Sequence, residues 1–204
     1  KGRHRSCEIR RDEFVAACDP NQEDAEQQAE TLNVKYDVVP IEPMFDAFMK
    51  QLDPFFAGTS TDTTEENLQS RCRGVLLMAL SNKSGALVLT TGNKSEVAVG
   101  YATLYGDMCG GFAPIKDVPK TLVYQLAAYR NTRSACIPER VIERPPSAEL
   151  APDQVDSDSL PDYSVLDGIL QAYVEDGLSV NSIIKMGFEK NVVKRIVALV
   201  DRNE

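Results

Sequence analysis

Histidine is almost missing from this sequence: His4 is the single one in 204 residues, and it stands in a basic, irregular leader. Without histidine a usual zinc site cannot be assembled, and Cys-His nucleophilic catalysis is excluded. The five cysteines, Cys7, Cys18, Cys72, Cys109 and Cys136, are scattered, odd in number and form no Cys-x-x-Cys pair, so no structural zinc is expected. Cys72 and Cys136 read as reduced thiols in the core. Positive charge is also short. With 22 Lys and Arg against 31 Asp and Glu the net charge is -9, and only residues 1 to 11 are locally basic. That balance argues against a protein that grips nucleic-acid backbones. No apolar run approaches the roughly 20 residues a bilayer requires, and the charged amino terminus lacks the apolar segment of a secretory signal. Neither membrane insertion nor export is expected; the composition is that of a cytoplasmic globular chain with one core.

What is present is organised around residues 87–112. The apolar run Ala86 to Leu89 lacks polar alternation, which suits a strand covered on both faces in a parallel α/β sheet. It stops at Thr90-Thr91-Gly92-Asn93. Asn93 can cap a helix, with Glu96 three residues later completing a capping box and Val97, Tyr101 and Leu104 following at helical spacing. Thr90 to Asn93 then lie at the carboxyl end of a strand, where open α/β sheets bind ligands, and the following helix start favours anions such as phosphate.

The rest of the chain alternates in the same manner. A helix is predicted from Pro20 or Asn21 to Leu32, a strand over Val34 to Ile41, and a second helix over Met44 to Leu52. Asp53 to Thr63 reads as a loop. Thr64 or a near neighbour caps a helix over Glu65 to Leu80, with Leu68, Cys72, Val75, Leu76 and Ala79 as its apolar stripe and Asn67 and Arg71 one turn apart on another face. That pair either grips a ligand or is a solvated face. Gly110, Gly111 and Pro114 mark a closely approached loop. Pro119 opens a helix to about Arg130, with Lys120 in its first turn, where a cation opposes the helix dipole and would suit an anionic partner. A short helix over Ile137 to Arg144 ends at Pro145-Pro146. Ser147 to Pro161, carrying Glu149, Asp153, Asp156 and Asp158, reads as an acidic loop or solvated linker. Ser164 and Asp167 form a capping box for a helix through Val174. Ser179 to Met186 and Asn191 to Val200 complete the chain, the last with Val192, Ile196 and Leu199 buried.

Glu66-Asn67-Leu68-Gln69-Ser70-Arg71-Cys72-Arg73-Gly74, Leu89 to Glu96, Tyr105-Gly106-Asp107, Pro119-Lys120-Thr121 and Arg144-Pro145-Pro146-Ser147-Ala148-Glu149-Leu150 together resemble the synthetase domain of glutamine-dependent NAD synthetase. The likeness runs in order from about Asp24 to the end. It implies an adenine-nucleotide-hydrolase-like, Rossmann-like α/β fold with a parallel sheet and flanking helices. It implies ATP-dependent amidation of deamido-NAD to NAD, through an adenylated carboxylate attacked by ammonia drawn from glutamine. By the same resemblance Asn67, Arg71 and Glu96 face deamido-NAD, while Thr91, Lys120 and Ser147 face ATP. Glu96 is also the weak candidate for Mg²⁺, against the alternative that it only completes its own helix cap. Asp107 either binds substrate or fixes the Gly-rich turn. Family members form homodimers or larger assemblies, so a homo-oligomer is expected.

The departures are as informative. The family's Ser-Gly-Gly-x-Asp-Ser pyrophosphate loop is not among these residues, nor is a nitrilase-like glutaminase domain or the basic segment that follows the last helix. Residues 1–18 therefore read as an atypical leader and 19–204 as a partial synthetase domain, with the sheet incomplete at both ends. Backbone donors at a leaving group are often worth about 3 kcal/mol each, so the isolated chain is expected to be inactive. The alternative is a non-catalytic dinucleotide-binding or dimerisation module.

Overall fold

The computed structural model describes residues 22–147 and 155–203. The leader 1–18 lies outside the described residues, as do Glu149 and Asp153 of the acidic segment. Helix α1, Gln22–Leu32, closes at Asn33, which takes the left-handed conformation (φ 52°) that Asn tolerates. The chain then runs extended to Ile41, whose carbonyl receives Met44 N–H and Phe45 N–H at the start of α2, Glu42–Phe56. Residues 34–41 were expected as a strand; among the described residues they take no regular strand structure, and Val34 N–H turns back to Ala29 O at 3.0 Å. Helix α2 is longer than predicted. Pro43 sits in its first turn, where no N–H is needed, and Pro54 falls in its last, where only one bond is lost.

Helix α3, Thr63–Ser84, is capped by Asp62 rather than Thr64. Asp62 Oδ1 accepts Thr64 N–H at 2.8 Å, and Glu65 Oε2 accepts Asp62 N–H at 2.9 Å. Gly85 at φ 76° ends the helix by returning its N–H to Ser81 O. The expected apolar stripe holds at Cys72, which is buried, and in part at Leu68 and Leu76, which are half-buried; the other buried positions are Ser70 and Gly74, and Val75 is 64% exposed. Small residues win that face because the 103–109 turn approaches the helix backbone. A Cβ on Gly106 would stand 2.2 Å from Ser70 Oγ, and one on Gly74 would stand 2.9 Å from Tyr105 O.

The run Ala86 to Thr90 forms one parallel bridge, Leu89 with Phe112, secured by Thr90 N–H to Phe112 O and Gly111 N–H to Val88 O, each 2.9 Å. Among the described residues this bridge is all there is of the expected parallel sheet. Leu87 and Leu89 are correspondingly 62% and 49% exposed, not covered on both faces. Helix α4, Lys94–Ala98, follows with the predicted Asn93–Glu96 capping box, but Gly100 (φ 72°) stops it before Tyr101 and Leu104. Helices α5, Lys120–Arg133, and α6, Glu139–Glu143, lie close to their expected ranges.

The apolar core lies in the carboxyl-terminal third. A 3-10 turn at Asp156–Asp158 leads to α7, Tyr163–Leu170, which continues as π-helix over Gln171–Glu175, then α8, Val180–Lys185, and α9, Lys190–Asn203. Leu166, Ile169, Ile183, Val193 and Ile196 are fully buried there, with Val99 joining from the end of α4. The buried stripe of α9 is Val193, Ile196, Val197 and Val200; Val192 and Leu199 flank it. Asp167 does not serve a capping box, since α7 begins after Asp162 without a side-chain cap. Cys72, Cys109 and Cys136 are free thiols, and burial pushes the Cys72 thiol up, which keeps it protonated and inert. No helix among the described residues is long and apolar enough to cross a membrane.

This distribution predicts an asymmetry in mutational cost. Ile196→Ala opens a cavity in the core and should lower unfolding free energy in urea by about 3 kcal/mol, whereas Val75→Ala should stay within about 0.5 kcal/mol. Equal losses would contradict the phase assigned to α3.

Candidate functional site

Two clusters of the sequence-selected residues are assembled, each by a helix and a loop. In the first, α3 presents Asn67, Ser70 and Arg71 to the turn 103–107. Asn67 Oδ1 accepts the Thr103 hydroxyl at 2.8 Å, and Arg71 Nε donates to Leu104 O at 3.2 Å. Asp107 Oδ1 takes Thr103 N–H at 2.7 Å and the Ser70 hydroxyl at 3.0 Å, while Asp107 N–H donates back to Ser70 Oγ at 3.0 Å. That exchange pins the turn to the helix. Within it Tyr105 is forced to φ 63°, a left-handed conformation that costs an aromatic residue energy, and its side chain is 78% exposed. No described residue takes the two terminal nitrogens of Arg71, so its guanidinium can face an external acceptor.

The second cluster joins the starts of α4 and α5. Lys120 Nζ meets Glu96 Oε1 at 2.7 Å, with both side chains 18% exposed. Glu96 Oε2 accepts Asn93 N–H at 3.2 Å, so the capping role and the ion pair coexist on one carboxylate. The ammonium also lies 5.3 Å from the Tyr163 ring centroid and 5.9 Å from that of Tyr124, within cation–π range. Tyr163 donates its hydroxyl to Asp156 Oδ2 at 2.6 Å. Asp156 is 3% exposed, and its other oxygen meets no donor among the described residues. Asp156 N–H binds Pro146 O at 2.9 Å, which brings half-buried Ser147 to the same wall. Tyr101 lies near enough to Asp156, and to Glu66 on α3, for both carboxylates to oppose ionisation of its hydroxyl. Burial, reinforced by the Asp156 carboxylate, holds the Tyr101 hydroxyl protonated up to about 12 and pushes Tyr163 higher still.

Thr91 stands apart. It is exposed on the link between the Leu89 bridge and Asn93, in reach of solvent and bonded to neither cluster. Among the described residues no group of three His, Cys, Asp or Glu could hold a metal. Both Glu96 oxygens already accept donors, and the nearby Asp156 carboxylate is buried and engaged by Tyr163; these residues do not form a magnesium site without ligands from phosphate and water.

Sequence reading missed the group that joins α4, α5 and α7. Asp167 on α7 accepts Thr121 N–H at 2.9 Å and the Thr121 hydroxyl at 2.6 Å through Oδ2, and the Ser95 hydroxyl through Oδ1. Ser95 Oγ in turn accepts Lys120 N–H at 2.8 Å. The signal was there: Pro119 has no side-chain acceptor with which to cap α5, and Lys120 raises the need for negative charge at that end. Outside both clusters, a cavity of about 560 Å³ lies between α1, α5 and α6, lined by Gln27, Asn131, Cys136 and Ile142.

With that geometry in view, similarity to known proteins is extensive. A family model described as NAD synthase matches residues 15–204. The chain is 60% identical over 184 residues to the glutamine-dependent NAD(+) synthetase of Acinetobacter baylyi, covering 89% of this chain and 34% of that protein. Among solved structures, the glutamine-dependent NAD+ synthetase from Acinetobacter baumannii in complex with ADP is 50% identical with a TM-score of 0.61, over 93% of this chain and 34% of that one. NMN synthetase from Francisella tularensis, 24% identical with a TM-score of 0.72 over 94% of this chain and 73% of that one, shares the fold. These neighbours have the Rossmann-like adenine-nucleotide-hydrolase architecture. The chain spans about a third of the length of the curated relatives it matches.

The two raised tyrosines set a pH dependence. Because the folded state favours the protonated phenol, the stability they contribute is complete below the ordinary value of 10.0 and is lost as pH rises through about 12. Tyrosinate absorbance followed against pH should show late titration that becomes ordinary in the unfolded chain. Normal titration of both residues in the folded state would contradict the burial described.

Proposed function

This chain belongs to the NAD synthase family, and on that premise we propose that it forms the nucleotide and deamido-NAD site for ATP-dependent amidation of deamido-NAD to NAD. In that reaction the nicotinate carboxylate attacks the α-phosphorus of ATP and expels pyrophosphate. Ammonia then attacks the acyl adenylate and AMP leaves. The observation that carries the reading is the Lys120–Glu96 pair at two helix starts, set beside the α3 and Asp107 turn cluster.

An arriving polyphosphate competes with Glu96 for the ammonium of Lys120. The freed Glu96 carboxylate can then take a ribose hydroxyl, or one position on a magnesium ion that phosphates otherwise ligate. Ser147 beside Asp156, and Thr91 from the exposed link that leads to Asn93, supply hydroxyls to the nucleotide in this reading. Arg71 and Asn67 face the deamido-NAD, and Asp107 acts by holding their turn. Magnesium, when bound, neutralises the polyphosphate charge. Exposed Leu122, Leu126 and Tyr129, one stripe of α5, suit a homo-oligomeric assembly, and the small polar substrates suit a cytoplasmic setting. Glutamine-derived ammonia is the nitrogen source in this reading, following the relatives' names.

The 204 residues include no Ser-Gly-Gly-x-Asp-Ser sequence, so binding is expected to exceed chemistry in the isolated chain. Calorimetry should detect deamido-NAD and ATP, and Arg71→Ala should weaken deamido-NAD by about tenfold while leaving ATP nearly unchanged. Pyrophosphate release with deamido-NAD, ATP, Mg²⁺ and ammonia should fall far below the roughly 10 per second of an ordinary enzyme. Absence of binding to either ligand would overturn the reading; turnover at ordinary rates would overturn the expected inactivity.

A further inference from the structure

We propose that Asp167 is a positioning residue for the nucleotide site, acting through Ser95 and Thr121 to place Lys120 against Glu96. The proposal rests on the reading that Lys120 meets nucleotide phosphates. Every helix begins with N–H groups that lack intrahelical acceptors. At α5 the residue before the helix is Pro119, which makes no side-chain cap. The missing acceptors come from elsewhere in the chain: Thr121 N–H goes to Asp167 Oδ2 at 2.9 Å, and Lys120 N–H goes to Ser95 Oγ at 2.8 Å.

Ser95 is fully buried and donates its hydroxyl to Asp167 Oδ1. One carboxylate on α7 thus fixes the first turns of α4 and α5 together. The residues adjacent to these anchors are the ones the site uses. Glu96 comes directly after Ser95, and Lys120 directly before Thr121. Their 2.7 Å contact spans the gap between the two helix starts, so its geometry is only as exact as the Asp167 tether. The carboxylate also offsets the unfavourable placement of a lysine in a first turn. A charged hydrogen-bond acceptor shared by three donors is difficult to replace by water in a half-buried setting.

The experiment compares Asp167→Ala and Ser95→Ala with Ser179→Ala, which removes the cap of α8 and serves as a destabilised control remote from both clusters. Acylation of the Lys120 amine in ligand-free protein, read by mass spectrometry, should accelerate about tenfold in both test variants and stay unchanged in the control. ATP affinity should fall about tenfold in the same two variants. In a Lys120→Met background, Ser95→Ala should cost no further affinity, because its effect passes through Lys120. Unchanged acylation in Ser95→Ala overturns the proposal. So does an equal affinity loss with and without Lys120, which is the signature of a merely structural role. If wild-type protein binds no ATP, the functional reading fails and the acylation rates alone decide the positioning role. If Asp167→Ala does not fold, Ser95→Ala carries both measurements.

Discussion

The site depends on a helix that cannot cap itself. Pro119 starts α5 without a side-chain acceptor, and Lys120 adds positive charge where the helix dipole is already positive. The Asp167 carboxylate answers both problems from across the chain, with Ser95 as its intermediary. The tether ties the first turns of α4 and α5 to α7, next to the contact between Glu96 and Lys120. Local structure, packing and the chemistry of the site are therefore coupled through one side chain.

Packing is distributed unevenly around this tether. The carboxyl-terminal helices bury Leu166, Ile169, Ile183, Val193 and Ile196 completely and act as the rigid base from which Asp167 projects. The amino-terminal helices meet the site through small residues instead. Ser70 and Gly74 let the Tyr105–Gly106–Asp107 turn approach α3 closely, and polar exchange between Ser70 and Asp107 replaces apolar burial. The two parts present the Lys120–Glu96 pair on one side and, on the other, a turn held by hydrogen bonds with Tyr105 in a left-handed conformation.

Local chemistry made much of this legible. The Asn93–Glu96 capping box and the start of α5 at Lys120 were readable because caps and prolines act over a few residues. Burial was harder. Val75 and Val192 fit a helical stripe by hydrophobicity, yet the neighbouring turn and helices choose the face, and they choose Gly74 and Val193. The strand expected over 34–41 is not regular among the described residues, since alternation describes a segment and not its place in a sheet. Asp167 was misread because its position in sequence suits a local cap, whereas its acceptors serve donors 46 and 72 residues away. The family, by contrast, was legible from ordered motifs before any contact was known.

In the proposed function, the α3 turn cluster and the Lys120–Glu96 cluster are two walls of one site. Amide chemical-shift mapping during titration with deamido-NAD, followed by ATP, tests it most directly. The account predicts that deamido-NAD perturbs Asn67, Arg71 and Glu96 together, and that ATP then moves Lys120 and Ser147. Perturbations confined to the cavity beside Asn131, or the absence of any shift at Glu96 and Lys120, would contradict it.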